Sequence, residues 1–181
     1  DEVIVPTPAF GLYESIIALC RGTFVALPTE DNAFQISREM IESAITPRTK
    51  LLVLPFPSNP TGAVMRREHL EEIAAVLRGT DILVLSDEIY CDLTYGDRPH
   101  ASIASLEGMA ERTVYIGGFS KSFAMTGWRL GYLCAPKPLA KQMLKIHQYA
   151  IMCAPTTAQL AAIEAMRNGD QDVRDMADEY D

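Results

Sequence analysis

The chain of 181 residues carries 16 basic and 24 acidic side chains, a formal charge of −8, which disfavours a general affinity for nucleic acid or an anionic membrane surface. Its composition is that of a globular protein with one principal domain. No apolar run reaches the roughly 18 residues of a membrane span and no charged leader precedes an apolar core, so a cytoplasmic enzyme with purely local anion sites is expected.

Short apolar, β-branched runs recur at Val3–Val5, Thr23–Leu27, Leu51–Leu54, Ile82–Leu85, Val114–Ile116 and Leu130–Cys134. Between them helices are expected near Leu12–Cys20, Ser37–Ala44, Arg67–Arg78, Leu139–Tyr149 and Thr157–Arg167. The clearest is Arg67–Arg78, with Leu70, Ile73, Ala74 and Leu77 on one face and Gly79 as its stop. This alternation predicts an α/β fold: a mostly parallel sheet with helices on both faces, a three-layer arrangement. The chain opens on a strand pattern without methionine, and it stops where Val173, Met176, Ala177 and Tyr180 keep helical spacing. A piece of a longer protein is therefore expected. Residues 1–168 would form the sheet domain, lacking its N-terminal part, and 169–181 would begin the connection to a second, truncated domain.

In open parallel sheets the ligand crevice lies beyond the carboxyl ends of the strands, and the distinctive residues gather there. The run Gly118-Phe119-Ser120-Lys121-Ser122-Phe123-Ala124-Met125-Thr126-Gly127-Trp128-Arg129 encloses a lysine among small and apolar residues. Desolvation would favour its neutral amine, which can condense with an aldehyde, with an ordinary surface lysine following a strand the plainer reading. Asp87 follows an apolar strand, where its carboxylate calls for a cationic partner such as a protonated pyridine nitrogen, or else caps the next turn. Tyr90 either reaches the crevice or packs. Asn59, held between Ser58 and Pro60 in an extended backbone, presents its amide or serves as a turn residue. Ser120 and Arg129 supply the hydroxyl and guanidinium that suit a phosphate monoester, with a surface ion pair the plainer role for Arg129.

Ser58-Asn59-Pro60-Thr61-Gly62, Ser86-Asp87-Glu88-Ile89-Tyr90 and the segment from Ser120 to Gly131, in that order, resemble the class I/II aminotransferases, fold-type-I enzymes that use pyridoxal 5'-phosphate. Pro6-Thr7-Pro8-Ala9-Phe10-Gly11-Leu12-Tyr13 extends the likeness toward the start of the chain. The resemblance implies that Lys121 holds the cofactor as an aldimine, that Asp87 pairs with the pyridine nitrogen, and that Tyr90 and Asn59 bond the ring oxygen, with Asn59 also in the substrate site. Ser120 and Arg129 match phosphate-holding positions and Phe10 an aromatic that stacks on the ring, although a core phenylalanine explains Phe10 as well. Lys121, Asp87 and Tyr90 would be the catalytic residues, the freed lysine moving a proton from the substrate α-carbon to the cofactor's C4′.

Implied partners are an amino acid and a 2-oxo acid, with no nucleic acid and no membrane, in a homodimeric parent protein. The fragment would be incomplete for activity, because the family's glycine-containing phosphate loop and its carboxylate-binding arginine fall outside it. Gly118 stands where many relatives carry a phosphate-binding serine. A carbon–sulfur lyase and a non-catalytic effector-binding domain of a regulator are the competing functions. No G-x-S-x-G, Walker or G-x-G-x-x-G pattern supports another chemistry. Cys20, Cys91, Cys134 and Cys153 lie far apart and are expected to be buried reduced thiols, with no metal site. His69 is expected on a helix surface, His100 in a loop, and His147 on a helix facing crevice or core.

Overall fold

The computed structural model describes residues 1–96 and 99–181. Among them six strands form one sheet: β1 (Glu2–Thr7), β2 (Thr23–Pro28), β3 (Thr49–Leu54), β4 (Leu83–Asp87), β5 (Thr113–Gly118) and β6 (Gly131–Cys134). The order is β2-β1-β3-β4-β5-β6, parallel throughout except for the antiparallel β5–β6 pair. After β2 the chain crosses β1 and continues on its other side, so the strand order reverses between β1 and β3. That reversal opens a crevice at the carboxyl edge.

The helices are α1 (Leu12–Leu19), α2 (Arg38–Ala44), α3 (Arg67–Leu77), α4 (Lys137–Ala150), α5 (Thr156–Asn168) and α6 (Asp170–Tyr180). The period-two alternation of the strands assigns them to the two faces. Ile4, Leu52, Leu54 and Val84 point to one side, where they form the main core with Ile41 of α2 and Leu70, Ile73, Ala74 and Leu77 of α3. Their neighbours Val5 and Val53 point to the other side and pack against Ile17 and Tyr13 of α1. A third cluster joins Phe119 and Met125, beyond β5, to Ala162 of α5. The three-layer α/β arrangement expected from the sequence is the one observed.

Differences from the expected boundaries have local causes. The Ser37 hydroxyl accepts from the Met40 backbone N–H and so caps α2 rather than belonging to it. Arg129 takes a left-handed backbone, φ 54, which delays β6 until Gly131. Gly169 ends α5 and opens α6, and a Cβ there would meet the Ala165 carbonyl oxygen at 2.7 Å. No described helix is long and apolar enough to cross a membrane.

Two expectations about side chains need correction. The four cysteines are free, but Cys20, Cys134 and Cys153 are exposed and Cys91 is half-buried. The exposed three lie on α1's end, the edge strand β6 and the α4–α5 turn, each short of covering neighbours. His147 faces solvent on α4 instead of a crevice or core.

Candidate functional site

Strand ends deliver the side chains. Asp87 is the last residue of β4 and shares the parity of Leu85, so its carboxylate turns toward α1. There the Tyr13 hydroxyl donates to Asp87 Oδ2 at 2.6 Å. Burial, then the bond to Asp87, pushes the Tyr13 hydroxyl well above its ordinary value, so it stays protonated and remains a donor. Among the described residues the other oxygen, Oδ1, has only the Ile89 backbone N–H at 3.3 Å. A half-buried carboxylate with one oxygen engaged and one weakly met still has acceptor capacity for a cationic N–H, and this fits a protonated pyridine nitrogen.

Phe10, just past β1, is 51% exposed and meets Tyr13 edge-on, ring centroids 6.3 Å apart. It is not a core residue. A half-exposed aromatic ring next to the tyrosine that meets Asp87 is one on which a planar ring can stack.

From β5 the chain runs into Ser120 and Lys121. The Lys121 Nζ lies over the Tyr90 ring, 5.6 Å from its centroid, which brings the amine and the tyrosine to the same edge. The enclosure expected for the lysine is not found: Phe119 and Met125 turn into the α5 cluster and Ser122 is buried, while Lys121 itself is exposed. Its apolar sequence neighbours pack away from the amine.

The following turn binds Ser120 and Arg129 into one unit. The Thr126 hydroxyl donates to the Ser120 carbonyl at 2.8 Å, and Arg129 Nη1 donates to the Thr126 carbonyl at 2.9 Å. Ala124 and Arg129 both have positive φ, 51 and 54, a concentration of strained non-glycine backbone of the kind that collects at binding sites. Among the described residues no acidic side chain pairs with Arg129, so the plainer ion-pair role does not hold. A Cβ on Gly118 would meet Ile89 Cδ1 at 2.7 Å and Gly131 Cα at 3.3 Å. A serine there would need the tip of Ile89 to swing aside.

Asn59 sits in a turn closed by Gly62 N–H donating to the Ser58 carbonyl and Ser58 N–H donating to the Ala63 carbonyl. These two bonds make the segment a tight turn rather than the extended run expected. The amide of Asn59 is still presented: it is exposed and makes no side-chain hydrogen bond among the described residues. It lines a cleft of about 580 Å³ with Ser58, Tyr90, Thr94, Tyr95 and Tyr180.

Lys121, Tyr90, Asp87, Asn59 and Phe10 thus share the carboxyl edge of the sheet, with Ser120 and Arg129 in the adjoining turn. Tyr13 and Thr126 are the residues that sequence reasoning passed over. Tyr13 stood in a quoted motif, three residues after Phe10, but spacing cannot say that a helix-borne hydroxyl meets a carboxylate 74 residues away.

The whole chain, residues 1–181, matches the family described as aminotransferase class I and II. The chain belongs to that family. It is 50% identical over 180 residues to a probable N-acetyl-LL-diaminopimelate aminotransferase of Bacillus subtilis, covering 99% of this chain and 45% of the relative. It is 44% identical over 184 residues to an aspartate aminotransferase of Pyrococcus abyssi, covering 100% and 47%. Among solved structures, an aromatic aminotransferase from Pyrococcus horikoshii OT3 superposes with a TM-score of 0.95 at 42% identity, covering 99% of this chain and 49% of that one. The chain spans about half the length of the curated relatives it matches.

Proposed function

We propose that the protein transfers an amino group from an amino acid to a 2-oxo acid with the aid of pyridoxal 5'-phosphate, Lys121 being the cofactor's covalent anchor. The observation that carries this is the meeting of a lysine amine, a tyrosine and a tyrosine-held aspartate at one strand edge in a chain of this family. The relatives named above are all aminotransferases, which favours transfer over the carbon–sulfur lyase and effector-domain readings.

Each residue then has a stated task. Asp87, steadied by Tyr13, holds a proton on the pyridine nitrogen, and the bound cofactor supplies an electron sink for the pair left when the substrate Cα–H bond breaks. The Tyr90 hydroxyl and Asn59 amide orient the ring through its oxygen, Asn59 also facing substrate, while Phe10 covers a ring face. Ser120 and Arg129 hold the phosphate. Lys121 Nζ would also be the base that takes the proton from the substrate Cα. Residues 1–168 would form the cofactor-binding domain and 169–181 the start of a connection to a second one. The exposed Ile146, Tyr149, Ile151 and Met152 support a homodimeric parent protein, and the free thiols agree with a cytoplasmic location.

The test is an absorbance spectrum of the protein mixed with pyridoxal 5'-phosphate, beside Lys121→Ala. A visible band that borohydride converts to a stable adduct on the peptide carrying Lys121 is expected. The same spectrum and adduct yield in both proteins would overturn the assignment.

A further inference from the structure

One buried acid takes no part in the chemistry above. Glu88 follows Asp87 but, by strand alternation, points to the opposite side of the sheet, and it is 2% exposed. Removing a carboxylate from water is unfavourable unless donors surround it. Glu88 has three: the Ser86 hydroxyl at 2.8 Å and the Ser102 hydroxyl at 2.6 Å on Oε1, and His100 Nε2 at 2.5 Å on Oε2. The His100 side chain is 16% exposed, so this histidine, in a loop as expected from sequence, is also a partner of the buried acid. The Glu88 N–H also donates to the Ile116 carbonyl of β5 at 2.9 Å, and its carbonyl accepts from the Cys91 N–H at 3.0 Å.

Two of the three side-chain donors come from residues 12 and 14 positions further along. Between the acid and those donors lie Tyr90, Leu93, Thr94 and Tyr95, all of which line the cleft. A leucine could fill the same volume, but it would not fix the direction in which two chain segments meet. Three directed bonds on one planar group do.

We infer that Glu88, clasped by Ser86, Ser102 and His100, is a positioning residue: it fixes the base of the cleft wall that carries Tyr90 to Tyr95 and, through its neighbour, the orientation of Asp87. The inference rests on the proposed cofactor site. Glutamine can keep the clasp, its carbonyl oxygen accepting from both serines and its amide donating to the lone pair of a neutral His100. Alanine cannot.

The experiment compares wild type, Glu88→Ala and Glu88→Gln by three measurements. These are hydrogen exchange of the cofactor-free chain, pyridoxal 5'-phosphate affinity, and circular dichroism of the bound cofactor's visible band. Glu88→Ala is expected to speed exchange in the Tyr90–Tyr95 peptide while leaving Leu70–Leu77 protected. Loss of the directed bonds should also weaken affinity by about tenfold or more and diminish the dichroic band, with Glu88→Gln within about threefold of wild type. If Glu88→Ala does not fold, Ser102→Ala removes one donor and takes its place, with a smaller effect in the same direction.

A folded Glu88→Ala protein with wild-type exchange, affinity and dichroism overturns the inference. So does exchange that rises everywhere with affinity falling only as the folded fraction falls, since that marks a purely structural role. If wild type fails to capture the cofactor at Lys121, the proposed function falls, and exchange in the Tyr90–Tyr95 peptide alone decides whether the clasp exists.

Discussion

Replacing Tyr13 by phenylalanine removes one oxygen and with it the 2.6 Å bond to Asp87. The bond is charge-assisted, a class that contributes about 1.5–3 kcal/mol. In the cofactor-free protein water can take the hydroxyl's place beside a half-buried carboxylate, so most of that loss is recovered. With the cleft filled, water is excluded, and Asp87 must hold the pyridinium proton with only the long Ile89 N–H contact in support. The deficit therefore falls mainly on the loaded state. At 1.36 kcal/mol per decade this is a weakening of pyridoxal 5'-phosphate affinity by roughly tenfold to a hundredfold. The assay is a titration followed at the visible band, with the thermal midpoint of the cofactor-free chain measured alongside. That midpoint should move little, because the ring of Tyr13 still packs on Val5 and Val53. A folded Tyr13→Phe protein whose affinity stays within about twofold of wild type would refute the claim that Tyr13 supports the carboxylate.

Phe10→Ala separates a stacking residue from a core one. With 51% of the ring exposed, stability should change by less than about 1 kcal/mol, while lost stacking should weaken cofactor affinity roughly threefold to tenfold. Arg129→Ala should narrow the preference for pyridoxal 5'-phosphate over unphosphorylated pyridoxal by about tenfold, as expected for a lost guanidinium–phosphate contact, and parallel titrations with both compounds test it. Gly117→Ala would put a Cβ 2.6 Å from the Tyr132 ring and 2.8 Å from Tyr115. Tyr132 would have to leave its stack on Tyr115 and Phe119, at a cost of about 1–2 kcal/mol read as a lower thermal midpoint. In alkali, burial and then the charge of Asp92 push the Cys91 thiol from 9.0 up to about 11, and burial raises the Tyr13 and Tyr115 hydroxyls above their ordinary 10.0. The unfolded chain therefore loses these protons first and binds fewer than the folded one, so stability is full below pH 9 and falls as pH rises through 11. Cys91→Ala should flatten the first part of that fall, by about 1 kcal/mol after allowing for solvent at the thiol.

The sheet was legible because burial on both faces writes itself as short β-branched runs, and α3 because a single buried stripe leaves a 3.6-residue period. Boundaries moved where one residue's conformation decided them, as at Arg129, and no periodicity records a left-handed φ. The candidate site was legible as residue types at strand ends, since a crevice at the carboxyl edge follows from a parallel sheet. What stayed hidden were pairings across long separations: Tyr13 with Asp87, and Glu88 with His100 and Ser102. The exposure of Lys121, the plainer of its two readings, has a related cause. Apolar neighbours in sequence indicate burial of the segment, but in a turn they report where Phe119 and Met125 go, not where the amine goes.

The adjacent acids of β4 show how one strand end can serve two purposes. Alternation sends Asp87 toward α1 and the crevice and Glu88 toward the main core, although only one peptide bond separates them. A single carboxylate could not both keep capacity for a ligand and lock the chain with three donors, because each donor accepted uses lone pairs and orientation that the ligand needs. Division between two faces removes the conflict: the Glu88 oxygens are committed within the protein, and Asp87 is left with Oδ1 weakly engaged. Exchanging the two residues, Asp87→Glu with Glu88→Asp, keeps composition and charge but alters both reaches by one methylene. It should therefore damage cofactor capture and cleft-wall protection together, whereas Tyr13→Phe should damage only the first.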